Sequence, residues 1–256
     1  MRKLRLWGQF YRREIKNRYL GSLSGLLWVF LHPVLLLALY TFLIAGVLKA
    51  RIPELSDAQW LPYVAFGLWP WMCFSEGLQR GTSAVMEHAG LLGKIALPAE
   101  LLVAASVAAT FTLHSLGLFA IVLLLPLFGY PVLWLHILVL LPLLSLLFLF
   151  TLGIAWIAAG LQVFIRDVAQ ILGQTLSFLF FLTPILYTPK MLPEVVRPWL
   201  AANPVSIYCT TTRDWLMFSN TTLTGQHALA VLIAGLSFGL GLWVFRKLAR
   251  HFEDFL

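Results

Sequence analysis

The sequence predicts an all-α integral membrane protein. The expected layout is six transmembrane helices per protomer, an N-terminal amphipathic interface helix and short re-entrant external helices. Three observations carry this. Of 256 residues, 60% are hydrophobic and only 11% charged, with a mean hydropathy of +0.87. Soluble domains average about 45–50% apolar and about 25% charged residues, so an ordinary soluble enzyme is excluded. Disorder, which needs low hydrophobicity, is excluded with it. Six apolar stretches each approach the about 20 residues needed to cross a bilayer core. Backbone polar groups cannot stay unpaired in lipid, so these stretches should be helices.

The first element is residues 1–20, MRKLRLWGQFYRREIKNRYL, with seven basic residues and one acid. At about 100° per residue, Leu4, Trp7, Tyr11, Ile15 and Tyr19 share one face, with Arg2, Arg5, Arg12, Arg13 and Lys16 opposite. Such a helix lies in the membrane surface, cations toward anionic headgroups. The plainer alternative is a positive flank that orients the next span. A signal peptide is excluded because Arg12, Arg13, Lys16 and Arg18 interrupt any apolar core.

Residues 21–256 form the transmembrane domain. Its expected spans are about 23–48, 61–79, 101–127, 132–161, 168–187 and 227–245. His32-Pro33 lies in the first; Pro70 and Glu76 lie in the second; a tight turn at 128–131 joins the third and fourth. Thirteen of the 18 Lys and Arg fall on the side of residues 1–20, which predicts a cytoplasmic location for both termini. The net charge of +7 therefore reads as a cytoplasmic face, not as a nucleic-acid footprint. Ten Trp fit two membrane–water interfaces.

Two connections exceed simple turns. The cytoplasmic segment 80–100 mixes charged and apolar residues and could form a short helix exposed to a partner. The external segment 188–226 is rich in Leu, Trp, Ile and Val, yet Pro189, Pro193, Pro198 and Pro204 break it. It reads as short helices that dip partly back into the membrane under cover of protein.

No catalytic or metal constellation emerges, so neither an enzyme nor a bound cofactor is expected. Glu87-His88 lacks the second His of HExxH, and Gly93-Lys94-Ile95 lacks the rest of a phosphate loop. His114 and His136 sit at different depths, which favours packing or hydrogen-bonding roles over a shared haem. Cys73 and Cys209 make no CxxC pattern and read as unpaired thiols.

Polar residues inside spans are the better lead, since they are costly in lipid and face a partner or a pathway. In the fifth span Gln170, Gln174, Ser177, Phe181, Pro184 and Thr188 recur at helical spacing; in the first, Trp28, His32 and Tyr40 share a face. Amides and hydroxyls can bond sugar hydroxyls, and aromatic rings can stack on sugar C–H faces. From the stripes alone, hydrogen-bonded contacts between helices are the favoured reading of both faces. Glu76 is placed to pair with Arg80, and Asp167 to cap the fifth span.

RYLGSLSGLLWVFLHPVLLLALYTF (18–42), GLWPWMCFSEGLQRGTSAV (67–85), LLGKIALPAELL (91–102), VFIRDVAQILGQTLSFLFFLTPILYTPKMLP (163–193), ANPVSIY (202–208) and Arg213-Asp214 follow in an order that resembles the permease subunits of polysaccharide-exporting ABC-2 transporters. The resemblance implies a permease in the bacterial cytoplasmic (inner) membrane that moves a lipid-linked polysaccharide of the O-antigen, capsule or teichoic acid type. It implies a homodimer with two copies of a separate cytoplasmic ATPase that binds ATP and Mg. The glycan path would lie between protomers, with Trp28, His32, Tyr40, Gln170, Gln174, Ser177 and Phe181 along it. The ATPase would meet Arg12, Arg13, Glu87, Leu92 and Lys94, and a gate would involve Pro184, Tyr187, Trp199, Asn203 and Pro204. Where such permeases usually carry basic residues, this chain has Gly93 and Ala99. An ABC-2 exporter of drugs or small lipids, or a membrane enzyme of lipid or glycan metabolism, are the alternatives.

Overall fold

The computed structural model describes residues 2–17, 25–47, 55–92 and 98–255. Lys94 lies outside the described residues, as do the side chains of Trp28 and Leu92. Ten α-helices make up the described chain, with no strand among the described residues. They are α1 Arg2–Asn17, α2 Gly25–Thr41, α3 Asp57–Glu87, α4 Ala89–Leu92 and α5 Ala99–Leu124. Then come α6 Leu140–Phe164, α7 Val168–Phe181, α8 Arg197–Ala202, α9 Pro204–Met217 and α10 Gly225–Ala249. A π-helical turn, Phe42–Val47, extends α2.

The 31-residue α3 is the axis of the fold, packed by α5, α6 and α9. Its apolar residues from Val64 to Phe74 are almost all buried. α10 packs along α6, and glycine makes that crossing close. A Cβ at Gly153 would collide with the backbone of Ser237, and one at Gly241 with the Gly153 carbonyl. Small residues that let backbones approach are how helices associate in lipid.

Among the described residues, three helical segments are long and apolar enough to cross a membrane: Ala99–Phe128, Trp134–Phe164 and Gly225–Ala249. They match the third, fourth and sixth expected spans, joined in the first two by a turn in which Gly129 takes φ 81°. Shorter apolar helices occupy Leu31–Ile44 and Val168–Phe181. The fifth stretch is therefore helical only to Phe181, not to 187. Pro184 lacks an N–H and pushes Thr183 out of helical geometry, so the chain turns instead.

The second stretch errs the other way. α3 runs from Asp57 to Glu87, so the first eight residues of the expected 80–100 loop continue that helix. Segment 188–226 does form short helices, and α9 is buried over most of its length. Cys73 and Cys209 are both free and buried. The apolar side of α1 rests on protein: α1 packs along α5, and Tyr11 donates to Thr112 Oγ1 at 2.9 Å. Gln9, Arg12, Arg13 and Lys16 remain exposed.

Candidate functional site

A groove of about 720 Å³ runs between α2, α3 and α7. Its α3 wall is a polar ladder, Ser75, Gln79, Ser83 and Glu87, spaced one helical turn apart so that all four face one way. Glu76 and Arg80 stand beside it. At the other end the lining is aromatic: Tyr40 stacks on Phe180 at 5.5 Å, and Trp71 meets Phe180 edge-on at 5.7 Å. His32, Ser177 and Phe181 also line the groove. One end can hydrogen-bond or pair with charge; the other can stack on rings or sugar faces.

Glu76 is not simply Arg80's partner. Its Oε2 lies 2.7 Å from His114 Nε2, while Oε1 is 3.7 Å from Arg80 Nε. His114 is buried on α5, so the pair ties α3 to α5 at the groove's edge. His136 points elsewhere, its Nδ1 2.6 Å from the Trp215 carbonyl oxygen, and the two histidines share nothing.

The groove ends at a clamped turn, residues 182–187. Three side chains from distant parts of the chain hold it. Arg213 of α9, 2% exposed, donates from Nε to the Tyr63 carbonyl at 2.8 Å. It also donates from Nη1 to the Pro184 carbonyl and from Nη2 to the Ile185 carbonyl at 2.6 Å. Asn203 Nδ2 donates to Thr183 Oγ1 at 2.8 Å, while its Oδ1 accepts from Val205 N–H and caps α9. Tyr63 Oη donates to the Tyr187 carbonyl at 3.0 Å. Helix C-termini leave orphan carbonyls; those of α7 are met locally, Leu179 by Thr183 Oγ1 and Phe181 by Tyr187 Oη. A planar guanidinium fork suits several carbonyls at once, which an ammonium does not.

Residues 5–217 match the family of ABC-2 type transporters. This chain belongs to that family. It is 36% identical over 198 residues to the O-antigen export system permease protein RfbA of Myxococcus xanthus, covering 76% of this chain and 73% of that protein. It is 26% identical over 255 residues to an O-antigen export system permease protein RfbA of Klebsiella pneumoniae, covering 95% and 92%. A second Klebsiella pneumoniae protein of that name matches with the same identity and coverage. This ABC-2 chain is thus a multi-pass membrane transporter subunit and not an enzyme.

Within this ABC-2 chain the expected path residues divide. His32, Tyr40, Ser177 and Phe181 line the groove. Gln170 and Gln174 line a separate hollow of about 470 Å³ with Asp167, Ile171, Thr175 and Phe178. The stripe read along the fifth span is the ridge between two depressions, not the floor of one. It also stops at Phe181, since Pro184 and Thr188 lie beyond the helix. Ser177 Oγ donates to the Gly173 carbonyl, within its own helix. Asp167 stands before α7 without a side-chain cap bond.

Of the expected gate residues, Pro184 and Tyr187 lie in the clamped turn, Asn203 helps to hold it and Pro204 opens α9. Trp199 on α8 is 72% exposed and outside it. Glu87 is exposed at the end of the polar ladder. The α3 ladder and the Arg213 clamp were missed in the sequence. Serines and glutamine at fourfold spacing within 75–87 were the available signal for the first. Nothing in sequence marks Arg213 as buried.

Proposed function

We propose that this chain is the permease subunit of an ATP-driven exporter that moves a lipid-linked O-antigen-type polysaccharide outward across the bacterial cytoplasmic membrane. The observation that carries the reading is the groove, polar at one end and aromatic at the other, in an ABC-2 chain similar to permeases named for O-antigen export. Hydroxyl and amide ladders exchange bonds with sugar hydroxyls as a chain slides, and aromatic rings give sequence-tolerant stacking. The charges at Glu76, Arg80 and Glu87 make the path less neutral than the fifth-span stripe alone implied.

In this reading α2, α3 and α7, with α5, α6 and α10, make six crossings. Both termini are cytoplasmic, in keeping with the Lys and Arg imbalance. The working unit is a homodimer with two ATPase subunits that bind ATP and Mg. The exposed face of α7, with Phe178 73% exposed, gives a second protomer a surface to cover. ATP-driven closure of the ATPases pushes α1 and the end of α3, near Arg12, Arg13, Glu87, Leu92 and Lys94. The protomers then rock apart at residues 182–204.

The test is complementation of an O-antigen export deletion by this chain and its ATPase, read as surface polysaccharide on immunoblots. Restoration is expected, with at least tenfold loss for Y40A, S177W and F181A at normal protein levels. Restored drug efflux without surface glycan would overturn the substrate assignment. Full export by all three variants would overturn the path. Cysteine cross-links between protomers at Phe178 test the dimer, and ATPase cross-links to residues 80–92 test the coupling.

A further inference from the structure

We propose that the C-terminal end of α10 is a binding site for the headgroup of an anionic phospholipid. From Gly225 to Phe245 the helix carries no acid, lysine or arginine. Arg246, Lys247 and Arg250 then arrive within little more than one turn. Together with Gly239, Leu242 and Trp243 they line a hollow of about 520 Å³. Lys247 Nζ sits 5.4 Å from the centroid of the Trp243 ring, and that Trp is 62% exposed. A tryptophan beside snorkelling cations is the side-chain chemistry of a membrane interface.

The same helical face continues as an apolar lane. Leu232 and Leu236 are 58% and 62% exposed and lie in line with Trp243. From Leu232 to Trp243 the lane is about 16 Å long, close to one leaflet's share of an about 30 Å hydrocarbon core. Gly239 supplies the hollow: a Cβ there would meet nothing within 4 Å. One amphiphile fits this sequence of surfaces, with its acyl chains on Leu232 and Leu236 and its phosphate among the cations. Glu100 lies 3.4 Å from Arg246 Nη2, and Glu253 and Asp254 follow Arg250 in the chain. Lys247 and Arg250 therefore do most of the phosphate binding, and this end keeps a smaller net positive charge. A second copy of the chain fits poorly, because a two-fold axis along the membrane normal sets like cations at the same depth.

The site is independent of which glycan is exported. The test is native mass spectrometry of the purified permease–ATPase complex titrated with phosphatidylglycerol or phosphatidylcholine. Preferential retention of phosphatidylglycerol is expected. The R246Q/K247Q/R250Q variant should weaken it roughly thirtyfold, chiefly from the two cations that carry the phosphate binding, at about 1 kcal/mol each. G239L, which fills the hollow and keeps every charge, should weaken it several-fold, and K190Q should leave it unchanged. Equal retention of both lipids would overturn the proposal, as would unaltered phosphatidylglycerol binding by G239L and K247Q. Displacement by millimolar inorganic phosphate would assign the site to a soluble anion. Protection of Lys247 from acetylation by added ATPase in lipid-free detergent would assign the face to the partner. Either result rejects the lipid.

Discussion

Arg213 lies over the ring of Tyr63, its guanidinium carbon 3.8 Å from the ring centroid, and bonds the carbonyl of the same residue. The two residues are 150 positions apart. Together they hold the turn that follows α7: Arg213 takes the carbonyls of Pro184 and Ile185, and Tyr63 that of Tyr187. A buried cation with no carboxylate among its hydrogen-bond partners is satisfied here by backbone dipoles and an aromatic face.

Replacing Arg213 by alanine strips the Pro184 and Ile185 carbonyls of this donor, each costing about 1–3 kcal/mol, while the Tyr63 carbonyl keeps its bond within α3. Thermal unfolding in detergent should fall by more than about 3 kcal/mol for R213A. R213K should recover only part of it, because an ammonium cannot span the fork. A Cβ on Gly67 would overlap the guanidinium, so G67A should resemble R213K. Combining the two should add little beyond either alone. Simple additivity would show that Gly67 and Arg213 do not act as one unit.

Asn203 separates two roles by chemistry. N203D keeps the oxygen that caps α9 and loses the donor to Thr183 Oγ1. N203A loses both, so about 2 kcal/mol is expected for N203A and about half of that for N203D. Equal losses measured by the same unfolding assay would contradict the divided role.

Glycine contact sets the α6–α10 crossing. G153L or G241V should force the helices apart and lower the yield of folded protein in size-exclusion profiles, whereas G235L should be tolerated. Gly235 has open space around its Cβ position, and Gly153 and Gly241 do not.

The Glu76–His114 bond is expected to link α3 and α5 energetically. H114A and E76A should each destabilise by about 1–3 kcal/mol. E76Q should cost less, since an amide oxygen still accepts from the ring nitrogen. A double-mutant cycle checks this, and a coupling energy near zero would dissolve the pair.

Much of the architecture was legible because lipid leaves a chain few choices. Hydropathy alone located three helices long and apolar enough to cross a membrane, to within a few residues at most ends. The same reasoning failed at 80–87, where Arg80 and Glu87 suggested a loop but line the groove from a continuing helix. Charge at a helix end and charge in a groove look alike in sequence. The helical stripe from Gln170 to Thr188 failed for a different reason. Periodicity assumes an unbroken helix, and Pro184 ends it.

Composition, apolar run length and the order of its motifs determined by themselves that this chain is a helical ABC-2 membrane protein. Those properties depend on solvent and on local chain geometry, both of which sequence records directly. Only the tertiary structure decided which polar residues face a common groove, and that Thr183 to Tyr187 is a fixed turn. Both depend on contacts between residues far apart in the chain, such as Tyr63 and Arg213. Such contacts arise from how several helices pack together, which no single segment encodes.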